Sequence, residues 1–157
     1  MVDVLWHSLK RLRDDRRGNF AIEFALVLPI LALLLVGLLD LGRYSLQKSA
    51  LLQGAREGAQ YGMLAPTDTA NIQTTAQNAT GLSGVSAVAE RFCECVAGTP
   101  VACTPSCGAG MKTYIKVTTT RNFVSVLSSN SVGGITTFMS HWAMPASISA
   151  DVTMIVP

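Results

Sequence analysis

The sequence predicts an α+β chain: a long N-terminal transmembrane helix that continues outward, followed by a small head with a short antiparallel sheet. Three observations predict it. Residues 24–39, FALVLPILALLLVGLL, are sixteen consecutive positions without a charged or strongly polar side chain. Residues 45–60 hold no proline and few β-branched residues, and carry small or apolar positions at helical spacing. Downstream, residues 111–120 (MKTYIKVTTT) and Ser147–Val156 alternate in polarity and are rich in β-branched side chains, as strands are.

The chain divides into a basic leader, 1–18, a long helix, 19–63, and a head, 64–157. The leader carries Lys10, Arg11, Arg13, Arg16 and Arg17 against Asp3, Asp14 and Asp15. Basic residues this close to a span place their end in the cytoplasm, so the head is expected on the far side of the membrane. The leader itself reads as a mobile tail, although Val4, Leu5, Leu9 and Leu12 suit a short amphipathic turn beside Trp6.

Taken from Phe20 to Leu39 the apolar segment is about 30 Å long at about 1.5 Å per residue, enough to cross the hydrocarbon. The alternative, a helix buried in a globular core, needs more apolar sequence around it than this chain supplies. A removed secretory signal is also disfavoured. The apolar run exceeds the usual length, and Gly42 and Ser45 around Arg43 and Tyr44 make a poor cleavage site.

Glu23 stands four residues into this segment, where a carboxylate is costly and is by default a functional position. It either reaches back to the headgroups or pairs with a positive group on a neighbouring subunit. Pro29 removes one hydrogen bond inside the span and can bend the helix, a feature membrane helices tolerate. Gly37 and Gly42 are five apart and make no GxxxG face. Asp40 and Arg43, three apart, are expected to pair at the membrane exit, where an exposed pair contributes little.

Beyond the exit, Tyr44, the Lys48 stem, Leu51, Leu52, Ala55, Ala59 and Met63 extend the helical pattern, giving one helix of about 45 residues, or nearly 70 Å. Gly54, Gly58 and Gly62 recur every fourth residue. They either permit close packing or only weaken the helix, by about 1 kcal/mol each relative to Ala. Gly62, with Pro66 following, also suits a C-terminal cap.

A resemblance now enters. The run Arg16-Arg17-Gly18-Asn19-Phe20-Ala21-Ile22-Glu23-Phe24-Ala25-Leu26-Val27-Leu28-Pro29 resembles the N-terminal signature of TadE-like proteins of tight-adherence (Flp-type) pilus systems. Asp40-Leu41-Gly42-Arg43 is similar to the family's acidic/Gly/Arg exit, and Ala55-Arg56-Glu57-Gly58-Ala59 to the Ala/Arg-rich segment after it. The match is tight over 16–43 and loosens to about residue 62. The resemblance implies a membrane-anchored, pseudopilin-like component of pilus assembly in a bacterial inner membrane, with a small pilin-like head. In processed members a prepilin peptidase cuts after Gly, which maps here to Gly18 and leaves Asn19 as the new terminus. Glu23 would then meet the free α-amino group of a partner. The implied partners are the bilayer, that peptidase and other pilus-assembly or pseudopilin subunits. The runner-up is an uncleaved single-span envelope scaffold or adhesion protein that joins no filament. The chain's length fits the short members of the family better than the long TadG-type relatives.

In the head, Ala65-Pro66-Thr67-Asp68 reads as a turn, residues 69–79 as a short polar helix with Thr69 as a possible cap, and residues 81–84 as its breaker. Val85, Ala87 and Ala89 alternate weakly. Residues 123–127 suit a second short strand or a helical turn, 133–134 a turn, and 135–142 are ambiguous. Two or three antiparallel strands on the long helix are expected. Cys93, Cys95, Cys103 and Cys107 form a C-x-C then C-x3-C cluster, unlike the usual paired zinc spacing, with His7 and His141 distant. In an oxidising compartment two disulfides stapling a loop are expected, with the three possible pairings open. Zinc ligation and free or intermolecular thiols are the alternatives.

The net charge of +2 and 14% charged residues supply no basic stripe for nucleic acid. No nucleophile motif, phosphate loop or HExxH occurs, and Asp68, Glu90, Glu94 and Asp151 read as isolated surface charge, with residues 128–131 as loop composition. No enzymatic activity, cofactor, metal or small-molecule substrate is expected.

Overall fold

The computed structural model describes residues 17–95, 98–103, 110–126 and 145–156, with side chains from residue 20 onward. The leader through residue 16, Cys107, and the segments expected at 128–131, 133–134 and 135–142 lie outside the described residues. The elements are α1 (Arg17–Leu64), α2 (Thr69–Ala79), β1 (Val85–Glu94), β2 (Pro100–Val101), β3 (Lys112–Asn122) and β4 (Ser147–Val156). The chain separates into two units, Met1–Leu39 and Asp40–Pro157.

In the first unit the described residues are all helix. Pro29 sits inside α1 without ending it. The apolar side chains lie open, with Phe20 74% and Leu34 66% exposed. A continuous apolar surface of this kind is unfavourable in water, and α1 is long and apolar enough to cross a membrane.

The second unit is a small α+β head. From Asp40 onward α1 buries a face built mostly from small residues, Leu51, Gly54, Ala55, Gly58, Ala59 and Gly62. These recur at three- and four-residue intervals, which places them on one stripe of the helix. A Cβ on Gly54 would meet Ala76 O at 2.5 Å and also Thr80 Cγ2; one on Gly58 would lie 2.7 Å from Ala76 Cβ. At Gly62 it would lie 2.8 Å from Ile115 Cδ1. The three glycines therefore allow close approach of α2 and β3. Gly62 is not a cap, since α1 continues to Leu64. Lys48 and Met63 are both exposed, so neither belongs to the packed stripe.

Helix α2 begins at Thr69 because Asp68, not Thr69, caps it. Asp68 Oδ1 accepts from Asn71 N at 3.2 Å and Oδ2 from Asn71 Nδ2 at 2.6 Å. A capping carboxylate satisfies a free amide of the first turn, so Asp68 is more than surface charge. After Thr80, Gly81 at φ +63° ends the helix in the left-handed region.

The described strands form one antiparallel sheet in the order β2-β1-β3-β4. It has four strands where two or three were expected. Strand β1 runs through Glu94 in spite of its weak alternation, because β3 pairs with it continuously from Val85↔Arg121 to Glu94↔Lys112. Strand β4 pairs with β3 from Thr113↔Val156 to Asn122↔Ser147. Residues 123–125 form no strand, although Phe123 N still donates to Ala146 O at 2.8 Å.

One sheet face supplies two clusters: Ala87, Ala89, Ile115 and Val117 pack with Ala55, Ala59, Ile72 and Ala76, and Ile148 and Ala150 pack with Leu51 and Phe123. Thr119 is buried on the same face and its hydroxyl donates to Leu51 O at 2.9 Å, with Ala150 O at 3.3 Å. This bond joins α1 to the sheet. On the other face Phe92 stacks on Tyr114 at 5.3 Å, and Lys116 pairs loosely with Asp151 at 3.9 Å. Partial desolvation, then the Glu94 carboxylate, push the Tyr114 phenol above its ordinary pKa.

Gly54→Val is expected to destabilise the head by about 1–3 kcal/mol through overpacking. Gly42→Ala, with nothing within 4 Å of its Cβ, should stabilise it by up to about 1 kcal/mol through helix propensity. Urea unfolding of the purified protein in micelles, followed by near-ultraviolet circular dichroism, measures both.

Candidate functional site

The residues singled out in the sequence fall along α1 and in the loop after β1. Helix α1 already includes Gly18 and Asn19 in its backbone, and Glu23 lies exposed along it.

Asp40 differs most from expectation. It is 0% exposed, not a solvent-facing member of a surface pair. Its Oδ2 accepts from Ser125 Oγ at 2.9 Å and its Oδ1 from Val126 N at 3.1 Å. Arg43 Nη1 stands 3.8 Å from Oδ1, with half of the arginine side chain exposed. A buried carboxylate is tolerated only where donors and a cation replace its hydration, and here both are supplied. Asp40 thus ties the start of the head's helix to a segment 85 residues later.

The neighbouring turns of α1 extend this attachment. Tyr44 meets Phe123 edge-to-face at 5.6 Å and 87°, a favoured aromatic geometry. Asp40, Tyr44, Leu51, Gly54 and Gly58 follow one another at three-, four- or seven-residue steps, so they share a stripe. That spacing is the sequence signal that connects Asp40 with the packed face. Ser125 had no such signal, because its partner is distant in sequence.

The cysteines form a staple at the end of the sheet opposite Ser125. Cys93, fully buried at the end of β1, is bonded to Cys103 across a separation of ten residues. Cys95 is also disulfide-bonded. Cys93 and Cys103 therefore use their sulfurs in a covalent bridge and not as zinc ligands. The bridge closes the loop carrying β2, whose two residues pair with Cys93 and Glu94. In so small a core, largely of alanine, a covalent staple makes up for limited apolar burial.

Two outcomes are expected from replacement. Asp40→Ala strands the buried Ser125 and Val126 donors and should cost roughly 1–3 kcal/mol, while Arg43→Ala should cost under about 1 kcal/mol. Denaturant titration of the two variants tests the difference. Replacing Cys93 and Cys103 together by Ala should cost about 2–4 kcal/mol, read the same way and checked by mobility on non-reducing gels.

Comparison with known proteins bears on one part of the chain. A family model described as TadE-like protein matches residues 18–60. The matched segment contains Gly18, Asn19, Glu23, Pro29, Asp40, Arg43, Gly54 and Gly58, and none of the sheet. No curated protein and no solved structure matches the chain. Over its long helix this protein is similar to the TadE-like family, and its disulfide-stapled sheet lies outside that likeness.

Proposed function

We propose that this protein is a single-span, membrane-anchored, pseudopilin-like component of tight-adherence (Flp-type) pilus assembly. The observation that carries this reading is the coincidence of the TadE-like match over residues 18–60 with an exposed apolar helix long enough to cross a bilayer. The role is structural, not catalytic. The apolar run anchors the chain in a bacterial inner membrane. The basic leader holds the N-terminus in the cytoplasm by the positive-inside rule, and the head faces the periplasm or the exterior.

Cutting after Gly18 by a prepilin peptidase would create a free α-amino group at Asn19. Glu23 of one subunit then compensates the terminus of its neighbour, which offsets the cost of a carboxylate in the span. The disulfide supports the external placement of the head, because such bonds persist in oxidising compartments. The small-residue seam of α1 supports a head that stays folded on its helix during assembly.

The deciding measurement is the N-terminal residue of the mature protein, from native membranes and from a strain lacking the peptidase. Asn19 only where the peptidase is present is the expected outcome. Met1 in both strains would instead identify an uncleaved envelope scaffold.

A further inference from the structure

We propose that two copies of this chain join their heads edge to edge. Strand β4 pairs antiparallel with β4 of the second copy, in the register that sets Val152 against its own counterpart. The inference rests on the sheet alone.

Among the described residues β4 ends the sheet, with β3 on one side of it. The bond from Phe123 N to Ala146 O fixes which of its groups β3 uses. Bonded pairs alternate along an antiparallel ladder. In the register of β3 and β4, Ile148, Ala150, Val152, Met154 and Val156 therefore turn their amides and carbonyls to β3. Ser147, Ser149, Asp151, Thr153 and Ile155 turn theirs outward.

A row of outward groups is a template for another strand, and native sheets blunt it with lysine, proline, a bulge or a very short strand. Strand β4 has none of these devices. It is ten residues long, its one charged residue is Asp151, and it pairs with β3 without a bulge. The opposite edge is blunted: β2 is two residues long, and Pro100 has no amide hydrogen to donate. This difference chooses the occupant. A head-to-tail chain of heads needs both edges, whereas a two-fold axis sets one surface against itself, and here that surface is β4.

Side chains choose the register. An axis at Asp151 sets two carboxylates directly opposite, which is unfavourable. An axis at Ala150 sets alanine against alanine and leaves Val156 beyond the paired residues. An axis at Val152 pairs residues 148–156, with Ala150 opposite Met154 and Ile148 opposite Val156 of the second copy. Val152, Met154 and Val156 are only partly buried in the single chain, and each gains an apolar neighbour. On the open face Asp151 then meets Thr153 of the second copy and keeps its own Lys116, 3.9 Å away.

The test uses the full chain in micelles, in which the described native cysteines are disulfide-bonded. Single cysteines are introduced as Ala150→Cys, Asp151→Cys and Val152→Cys, with Val88→Cys on the exposed face of β1 as the collisional reference. Copper-phenanthroline oxidation is followed on non-reducing gels, and near-ultraviolet circular dichroism checks that each head is folded. At 152 the two thiols stand directly opposite, within disulfide reach. At 151 they are offset by two residues, about 8 Å between Cα atoms, which is too far to bridge. Dimer should form fastest at 152, roughly tenfold faster than at 88. Fastest cross-linking at 150 or 151 overturns this pairing. A rate at 152 no higher than at 88, in folded heads, overturns it in favour of other cover on the edge.

Two further variants read the register without an added thiol. Thr153→Lys sets a cation opposite Asp151 of the second copy and should tighten the dimer about three- to tenfold in sedimentation equilibrium. Thr153→Glu should loosen it by a similar factor. Loosening by both overturns the register, because lysine then acts only as a general edge blocker.

Discussion

The head depends on one steric constraint: how closely α1 approaches α2 and the sheet. Gly54, Gly58 and Gly62 leave space where any Cβ would press on Ala76, Thr80 or Ile115. Alanines at 55, 59, 76, 87 and 89 line the same region. Short side chains bring backbones together and multiply weak dispersion contacts, while each buries little apolar area. The conformational cost of glycine in a helix is thus accepted where it permits packing. The larger side chains Leu51, Ile72, Ile115, Ile148 and Phe123 fill the remaining volume. Such a core is thin, and the Cys93–Cys103 bridge restrains the end of the sheet that it reaches least.

Polar bonds fix the arrangement that packing alone leaves loose. Thr119 reaches from β3 to the Leu51 carbonyl, and Asp40 reaches from α1 to Ser125 and Val126. Both groups are buried, so each bond is costly to break. They hold the α1 stripe at two points, Leu51 against the sheet and Asp40 against the segment that follows β3. This matters for a protein whose helix has two environments. The apolar part is suited to lipid, and the part after Asp40 is committed to its own head. The change from one to the other occurs within two residues, between Leu39 and Asp40, and the buried carboxylate marks it.

The resemblance to TadE-like proteins covers the helix and the seam but stops before the sheet. Anchor and seam therefore carry the functional reading. The sheet contributes a compact, oxidised head with an open face, on which the Phe92–Tyr114 stack and the Lys116–Asp151 pair lie.

Sequence by itself determined the elements whose cause is local or compositional. An uncharged run can only be satisfied away from water, so the helix was legible from residue 19 onward. Alternating β-branched residues marked β3 and, to the residue, β4. Gly81 announced the end of α2. Tertiary structure alone decided what depends on partners far along the chain. Asp40 and Arg43, three apart, read locally as a surface pair, and only the return of Ser125, 85 residues later, buries Asp40. Strand β1 looked weak because its inward residues are alanines and one position is Arg91, yet its backbone bonds to β3 form it throughout. The glycine repeat was visible, but whether it loosened a helix or seated one depended on α2 and Ile115 lying against it. The cysteine spacing allowed three pairings, and the approach of β2 to the end of β1 selected Cys93 with Cys103. In each case local chemistry limited the choices, and a contact made only on folding chose among them.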